Sequence, residues 1–233
     1  MSIQNKNDIK QGIKSALPLM LGYVPVAIAF GILAKNISIS FGETSLFSII
    51  VFAGASQFMA LDLIQGGVGA GGIILATFLL NLRHMVMSAS LSTKLQHIKK
   101  SYLPLIAFGI TDESFSVLSF TENELSLAFL LTVNICSYGS WVIGTILGYL
   151  VGEILPVSLQ ASLGIGLYGM FVALLFPQFK GKINNLFLSI LSALIYIILF
   201  YSRLFTNGWD IIIGIILSSF IGVVFLNRKG DVK

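Results

Sequence analysis

The chain has 233 residues, of which 56% are hydrophobic and only 10% charged, and its mean hydropathy is +0.93. A soluble domain carries about 25% charged residues, so this composition excludes a soluble fold and describes an integral membrane protein with no room for a separate catalytic domain. The net charge of +4 is not a nucleic-acid footprint, because the basic residues fall in short segments between apolar runs and not on one folded face.

A helix needs about 20 apolar residues to cross the hydrocarbon core. Runs that approach this length are 14–34, 45–64, 68–93, 101–119, 125–150, 156–176, 183–201 and 209–226. They predict an all-α, polytopic integral membrane helix bundle of about six to eight membrane segments, some of them broken or re-entrant. The expected organisation is a cytoplasmic N-terminal segment 1–13, a single transmembrane domain 14–226 and a cytoplasmic tail 227–233. The first run carries Pro18 and Pro25 and lacks a small-residue cleavage pattern, so it reads as a retained helix and not a leader.

The basic residues test the count. Lys6, Lys10 and Lys14 precede the first run; Lys94, Lys99 and Lys100 form a central loop; Lys180 and Lys182 form a later one; Arg228, Lys229 and Lys233 end the chain. Cytoplasmic loops carry such clusters. With all four inside, the loop of Glu122 and Glu124 lies outside, and 45–93 and 125–176 must each cross an odd number of times. Each then holds one full span plus a broken or re-entrant element, or three short crossings. The breaks are expected at Phe52-Ala53-Gly54-Ala55-Ser56-Gln57-Phe58 and at Asn134-Ile135-Cys136-Ser137-Tyr138-Gly139-Ser140-Trp141. Small and polar residues at mid-membrane allow unwinding, although glycines there also serve ordinary close helix packing.

The Gly-rich stretch 66–72 reads as a tight turn. Gly144, Gly148 and Gly152 form a small-residue stripe that faces either a neighbour within the chain or a partner subunit. Lys14-Ser15-Ala16-Leu17-Pro18-Leu19 echoes Lys100-Ser101-Tyr102-Leu103-Pro104-Leu105, as an internal repeat would.

Asp62 and Asp210 sit near span ends, but Arg83, His84, Asp112 and Glu113 lie deep. A central Arg or Asp costs roughly 2.5–3.5 kcal/mol on insertion scales, so such residues face a bundle interior or a wet cavity. One explanation is an ion pair between Arg83 and one carboxylate that holds two spans in register. The other is a polar site for a small zwitterion. Arg83, or an unwound helix N-terminus near Gly54, would hold a carboxylate. Asp112 or Glu113 would hold an ammonium or a coupling proton, and His84, beside the arginine, joins them as a proton-coupling or charge-pair candidate. Gln57 and Asn134 would hydrogen-bond backbone-like groups, and Ser56 and Asn81 complete the polar set. Phe30, Phe58, Phe115 and Trp141 are mainly packing residues.

Enzyme chemistry has little to stand on. No Walker-type loop and no HExxH occurs, and Ser56 and His84 have no spacing that favours a nucleophile–base pair. Cys136 is the sole cysteine, which excludes a disulfide within the chain. His84 and His97 do not form a ligand cluster, so no metal or other cofactor is expected.

The chain resembles the AzlC family, the large subunits of two-component branched-chain amino acid exporters. The resemblance rests on Gly22-Tyr23-Val24-Pro25 with Phe30-Gly31, on Phe52–Phe58, on Asn81-Leu82-Arg83-His84 and on Thr111-Asp112-Glu113-Ser114-Phe115, with Asn134 and Trp141 also similar. It implies export of leucine, isoleucine, valine and related amino acids across the plasma membrane, driven by an ion gradient, with a small AzlD-like membrane subunit as partner.

The basic loops make one testable statement about topology. In a Cys136→Ser background, cysteines placed at Lys99 and Lys182 should react with a membrane-impermeant maleimide from the same face; labelling from opposite faces removes the charge-based topology.

Overall fold

The computed structural model describes residues 3–121, 124–152 and 183–202, with 213–214, 217–218, 220–222 and 224. The segments expected at 156–176 and over most of 209–226, the charges at Glu122, Lys180 and Lys182, and the C-terminal tail lie outside these residues. Every regular element among the described residues is helical, as the composition requires. The chain divides into two compact units, one of residues 1–61 and 81–170 and the other of 62–80 and 171–233.

The elements are α1 (Ile3–Asn36), α2 (Phe41–Ile50), α3 (Gly54–Gln65), α4 (Ala70–Ser92), a 3-10 turn at Lys100–Tyr102, α5 (Leu103–Phe108), α6 (Asp112–Phe120), α7 (Leu127–Val151) and α8 (Ile183–Ser202). Among the described residues three stretches are long and apolar enough to span a membrane: Lys6–Asn36, Ala70–Ser92 and Leu127–Val151. Helix α1 runs through Pro18 and Pro25. The turn between α3 and α4 contains Gly67 at φ +71°, a left-handed conformation that favours glycine.

The frame of the first unit is α1 packed on α7, the most extensive helix contact among the described residues. Gly12 lies beside Thr132, Gly144 beside Val24 and Ala27, Gly148 beside Ile28, and Gly152 beside Ile32. The partners keep a constant offset along both helices, so α1 and α7 run parallel. The seam covers Gly12 to Ile32, which at 1.5 Å per residue is about 30 Å, the thickness of a hydrocarbon core. A methyl group on Gly144 would stand 2.7 Å from Ala27 Cβ, and one on Gly31 or Gly148 would strike the backbone of the other helix. The small-residue stripe therefore serves a contact within the chain.

Helices α2 and α3 form a re-entrant hairpin on this frame. The chain is extended at Val51, which caps α2, and α3 starts at Gly54. Gln57 Nε2 donates to Ser48 Oγ at 3.2 Å. Two colinear half-helices would place positions nine apart about 14 Å from each other along the axis, beyond the reach of a serine and a glutamine. The rings agree: Phe47 on α2 and Phe58 on α3 both stack edgewise on Phe30 at 5.7 Å. The hairpin enters at the C-terminal end of α1, where Tyr149 donates to Ile39 O at 3.0 Å. Its N-terminus is fixed by a capping box between Ser40 and Glu43. The break falls at the start of the expected stretch.

Helices α5 and α6 form a second hairpin, entering from the other end. Here the structure corrects the expectation of a span over 101–119 with Glu124 opposite the central basic loop. Lys94 Nζ donates to Ser119 O at 2.6 Å and to Thr121 O at 3.1 Å, and His97 faces Glu124 at 3.6 Å. The chain thus returns after α6 to the face it left after α4. Sequence length misled because α5, a three-residue break and α6 together equal one spanning helix. The break expected at Asn134–Trp141 is absent: α7 is continuous from Leu127 to Val151. Its small and polar residues are used to receive α1 and the two hairpins. The proposed repeat of 14–19 and 100–105 also finds no structural parallel, since the first lies inside a 34-residue helix and the second opens a six-residue one.

A labelling experiment separates a hairpin from a span. A cysteine at Glu124 should react from the same face as one at Lys99, and reaction from the opposite face would mean that 101–120 crosses.

Candidate functional site

The two hairpin tips meet beside the middle of α1. Phe52, in the first break, lies 6.5 Å from Phe108 at the end of α5, and Tyr138 of α7 touches both rings at 5.4 and 5.5 Å. Tyr23 of α1 packs edgewise on Phe52 at 5.9 Å and on Trp141 at 5.7 Å. Its hydroxyl reaches the second tip, 2.5 Å from Thr111 Oγ1 and donating to Glu113 Oε2 at 2.7 Å. Tyr23 is 2% exposed and touches both breaks.

Each tip is built so that its backbone can end a helix at this depth. At the second, Thr111 caps α6 by accepting from Ser114 N, while Ser114 Oγ accepts from Thr111 N at 2.8 Å and donates to Gly109 O at 2.9 Å. Asn134 Nδ2 donates to Ile106 O at 3.1 Å, satisfying a carbonyl at the end of α5. Any Cβ on Gly109 would strike the Asn134 side chain. At the first, Tyr138 donates to Ile49 O at 2.8 Å, and Trp141 lies so close that a Cβ on Gly54 would stand 2.6 Å from its ring.

The predicted site residues separate into groups. Arg83 and Asp112 form an ion pair at 2.9 Å, each with about a third of its side chain exposed. Glu113 points elsewhere, to Tyr23. Adjacent residues on a helix diverge by about 100°, and the first turn of α6 gives the two carboxylates different partners. His84 is half-buried and within electrostatic reach of Arg83 and Glu113. Ser56 donates to Asn81 Oδ1, tying α3 to α4. Gln57 is fully buried, with both ends of its amide used: Oε1 accepts from Trp141 Nε1 at 2.8 Å and Nε2 donates to Ser48, which is 2.8 Å from Thr145 Oγ1.

Some buried polar atoms have no protein partner. They include Arg83 Nε, a donor; Asn134 Oδ1, an acceptor; and Ser137 Oγ, which is both. Asn134 and Ser137 are 6% and 0% exposed. Such groups are costly to leave unmet in an apolar medium. Among the described residues no three His, Cys, Asp or Glu side chains converge as metal ligands.

The sequence did not single out Tyr23, Thr111, Ser137 or Ser48 as site residues. Tyrosine, threonine and serine are ordinary in membrane helices, and only the meeting of the two tips distinguishes these four. The available signal was that Tyr23 and Thr111 stand inside the motifs that carry the family resemblance.

Two opposed hairpins held on a parallel helix pair, with a buried polar cluster at their tips, define a polytopic membrane helix bundle. The chain belongs to the AzlC family: the family model described as AzlC protein matches residues 18–155. It is 36% identical over 184 residues to an uncharacterized membrane protein of Archaeoglobus fulgidus, covering 78% of this chain and 80% of the relative. It is 33% identical to the inner membrane protein YgaZ of Escherichia coli K12, covering 74% of each. It is 26% identical to the branched-chain amino acid transport protein AzlC of Bacillus subtilis, over 70% of this chain and 64% of that protein. No solved structure matches the chain significantly.

The ion pair should contribute measurably to this arrangement. Arg83→Ala and Asp112→Ala should each lower the unfolding midpoint in detergent. The double variant should lose less than the sum, with a coupling of about 0.5–3 kcal/mol, toward the low end because the pair is partly exposed. Strict additivity would show that the pair does not hold α4 to the second hairpin.

Proposed function

We propose that this protein is a secondary transporter that exports branched-chain amino acids across the plasma membrane, coupled to protons and assisted by a small AzlD-like membrane subunit. The observation that carries the reading is the set of unmatched donors and acceptors around the hairpin tips. A zwitterion supplies both kinds of missing partner. Its carboxylate would be held by Arg83 and by the first-turn N–H groups of α3 near Gly54, which have no partner within the helix. Its ammonium would be held by Asn134 Oδ1 and the carbonyl end of α5, with Ser137 beside them. The aliphatic side chain would lie against Phe52, Phe108 and Tyr138. Ser56, Asn81 and Gln57 shape the site from behind, through bonds they already make.

Two hairpins entering from opposite ends give the site two covers, as broken helices do in other transporters. The printed name of the Bacillus subtilis relative supports the substrate class. Helix α4 leaves room for the partner, since it exposes Met85 and Val86 beside the Arg83–His84 pair. With the basic loops inside, both termini are cytoplasmic. A transporter fits the site better than an enzyme, since the Ser56 hydroxyl is committed to Asn81.

Asp112 holds position through Arg83, and Glu113 exchanges the coupling proton. Glu113→Gln imitates the protonated state. In proteoliposomes it should lose leucine efflux driven by a pH gradient and keep leucine counterflow, whereas Arg83→Ala should lose both while the protein still inserts. Intact gradient-driven efflux by Glu113→Gln would remove this residue as the proton carrier. A wild-type protein that moves another small zwitterion but not leucine, isoleucine or valine would change the substrate class.

A further inference from the structure

We propose that Tyr23 is the positioning residue that holds Glu113 and passes its protonation state from the second hairpin to the first. The proposal rests on the transport reading above for its functional meaning, and on geometry for its mechanism. Tyr23 is the one described side chain that hydrogen-bonds the second tip while its ring packs on the first, through Phe52 and through the Trp141 that covers Gly54.

The hydrogen-bond chain has a direction. A phenol carries a single O–H and accepts through its oxygen. With Glu113 ionised, Tyr23 donates to the carboxylate and Thr111 donates to Tyr23. When Glu113 takes a proton from water, its new O–H donates to the Tyr23 oxygen. The Tyr23 O–H must then turn to Thr111 Oγ1, and the Thr111 O–H turns to Ser114 Oγ, 3.4 Å away. The proton that arrived on Glu113 leaves again to water, and Tyr23 keeps its own throughout. One protonation thus reverses every donor from Glu113 to the cap of α6. The hydroxyl hydrogen turns about its own C–O bond while the ring stays in place, so what reaches Phe52 and Trp141, packed edgewise on that ring, is the change of charge and dipole at its hydroxyl end. Among the described residues the charged groups around Glu113 are Asp112 on its own helix, the Arg83 of α4 that pairs with Asp112, and His84 on α4, so the test must separate Glu113 from His84.

Trp141 provides a readout that needs no substrate. The chain has two tryptophans, and Trp209→Phe leaves Trp141 alone beside Tyr23. In liposomes, Trp141 emission should change sigmoidally between about pH 4 and 9, the range of carboxylate and imidazole titration. Glu113→Gln and Tyr23→Phe should each abolish the change, while His84→Gln and Thr111→Ser should keep it. Because Phe preserves the ring contacts, Tyr23→Phe should retain leucine counterflow and lose gradient-driven efflux by about tenfold or more, the scale of a lost proton-handling group. A 3-fluorotyrosine at position 23 avoids any folding loss. It is a stronger donor to the carboxylate, so the midpoint should move to lower pH. A parent protein with no transition, a transition that survives Tyr23→Phe or follows His84, or a midpoint that fluorotyrosine leaves unmoved would each overturn the proposal. A transition that behaves as expected in a protein that moves no amino acid would instead overturn the transport reading and leave the coupling of Tyr23 to Glu113 intact.

Discussion

In hydrocarbon no water is available to satisfy an open peptide group, so irregular backbone survives only where protein covers it. The first unit is organised around that constraint. Each hairpin ends two helices at membrane depth, and each end exposes N–H or C=O groups that need partners. Helix α7 meets this need along one face. Asn134 takes a carbonyl of α5, Tyr138 takes a carbonyl of α2, Trp141 covers the start of α3 and bonds Gln57, and Thr145 meets Ser48. A helix that reads as a broken element by its composition is continuous because its polar residues satisfy breaks elsewhere.

This face can serve both hairpins only if α7 is rigidly placed. The glycine seam with α1 provides the placement. Backbone-to-backbone contact over about 30 Å leaves little freedom for sliding, since a shift along the seam would drive side chains into the other helix. The seam also sets Tyr23 on α1 level with Trp141 on α7, between the two tips. Packing of small residues thus decides where a tyrosine hydroxyl stands.

The charges follow from the same arrangement. Arg83 lies deep because α4 crosses where the second hairpin ends, and Asp112 at the first turn of α6 supplies its counter-ion. A carboxylate there also benefits from the positive end of the helix. Glu113, turned away by the helical twist, has the Tyr23 hydroxyl as its hydrogen-bond partner. Of the two explanations for the deep charges, the ion pair therefore applies to Asp112, while Glu113 accepts from Tyr23 instead.

The amino-acid sequence by itself determined the solvent, the helical class, the deep residues and the family, because these depend on composition, run length and local motifs. It also marked the first break, where Phe52–Phe58 concentrates small and polar residues. It did not distinguish a span from a hairpin at 101–120, since two short helices and a turn have the length and hydropathy of one long helix. It placed a break in α7 because small and polar residues look alike whether they unwind their own helix or receive another. Only the tertiary structure decided those two points, together with the partners of Asp112 and Glu113 and the position of Tyr23. Each is a contact between residues far apart in the chain, set by which helix faces meet and in which direction they run.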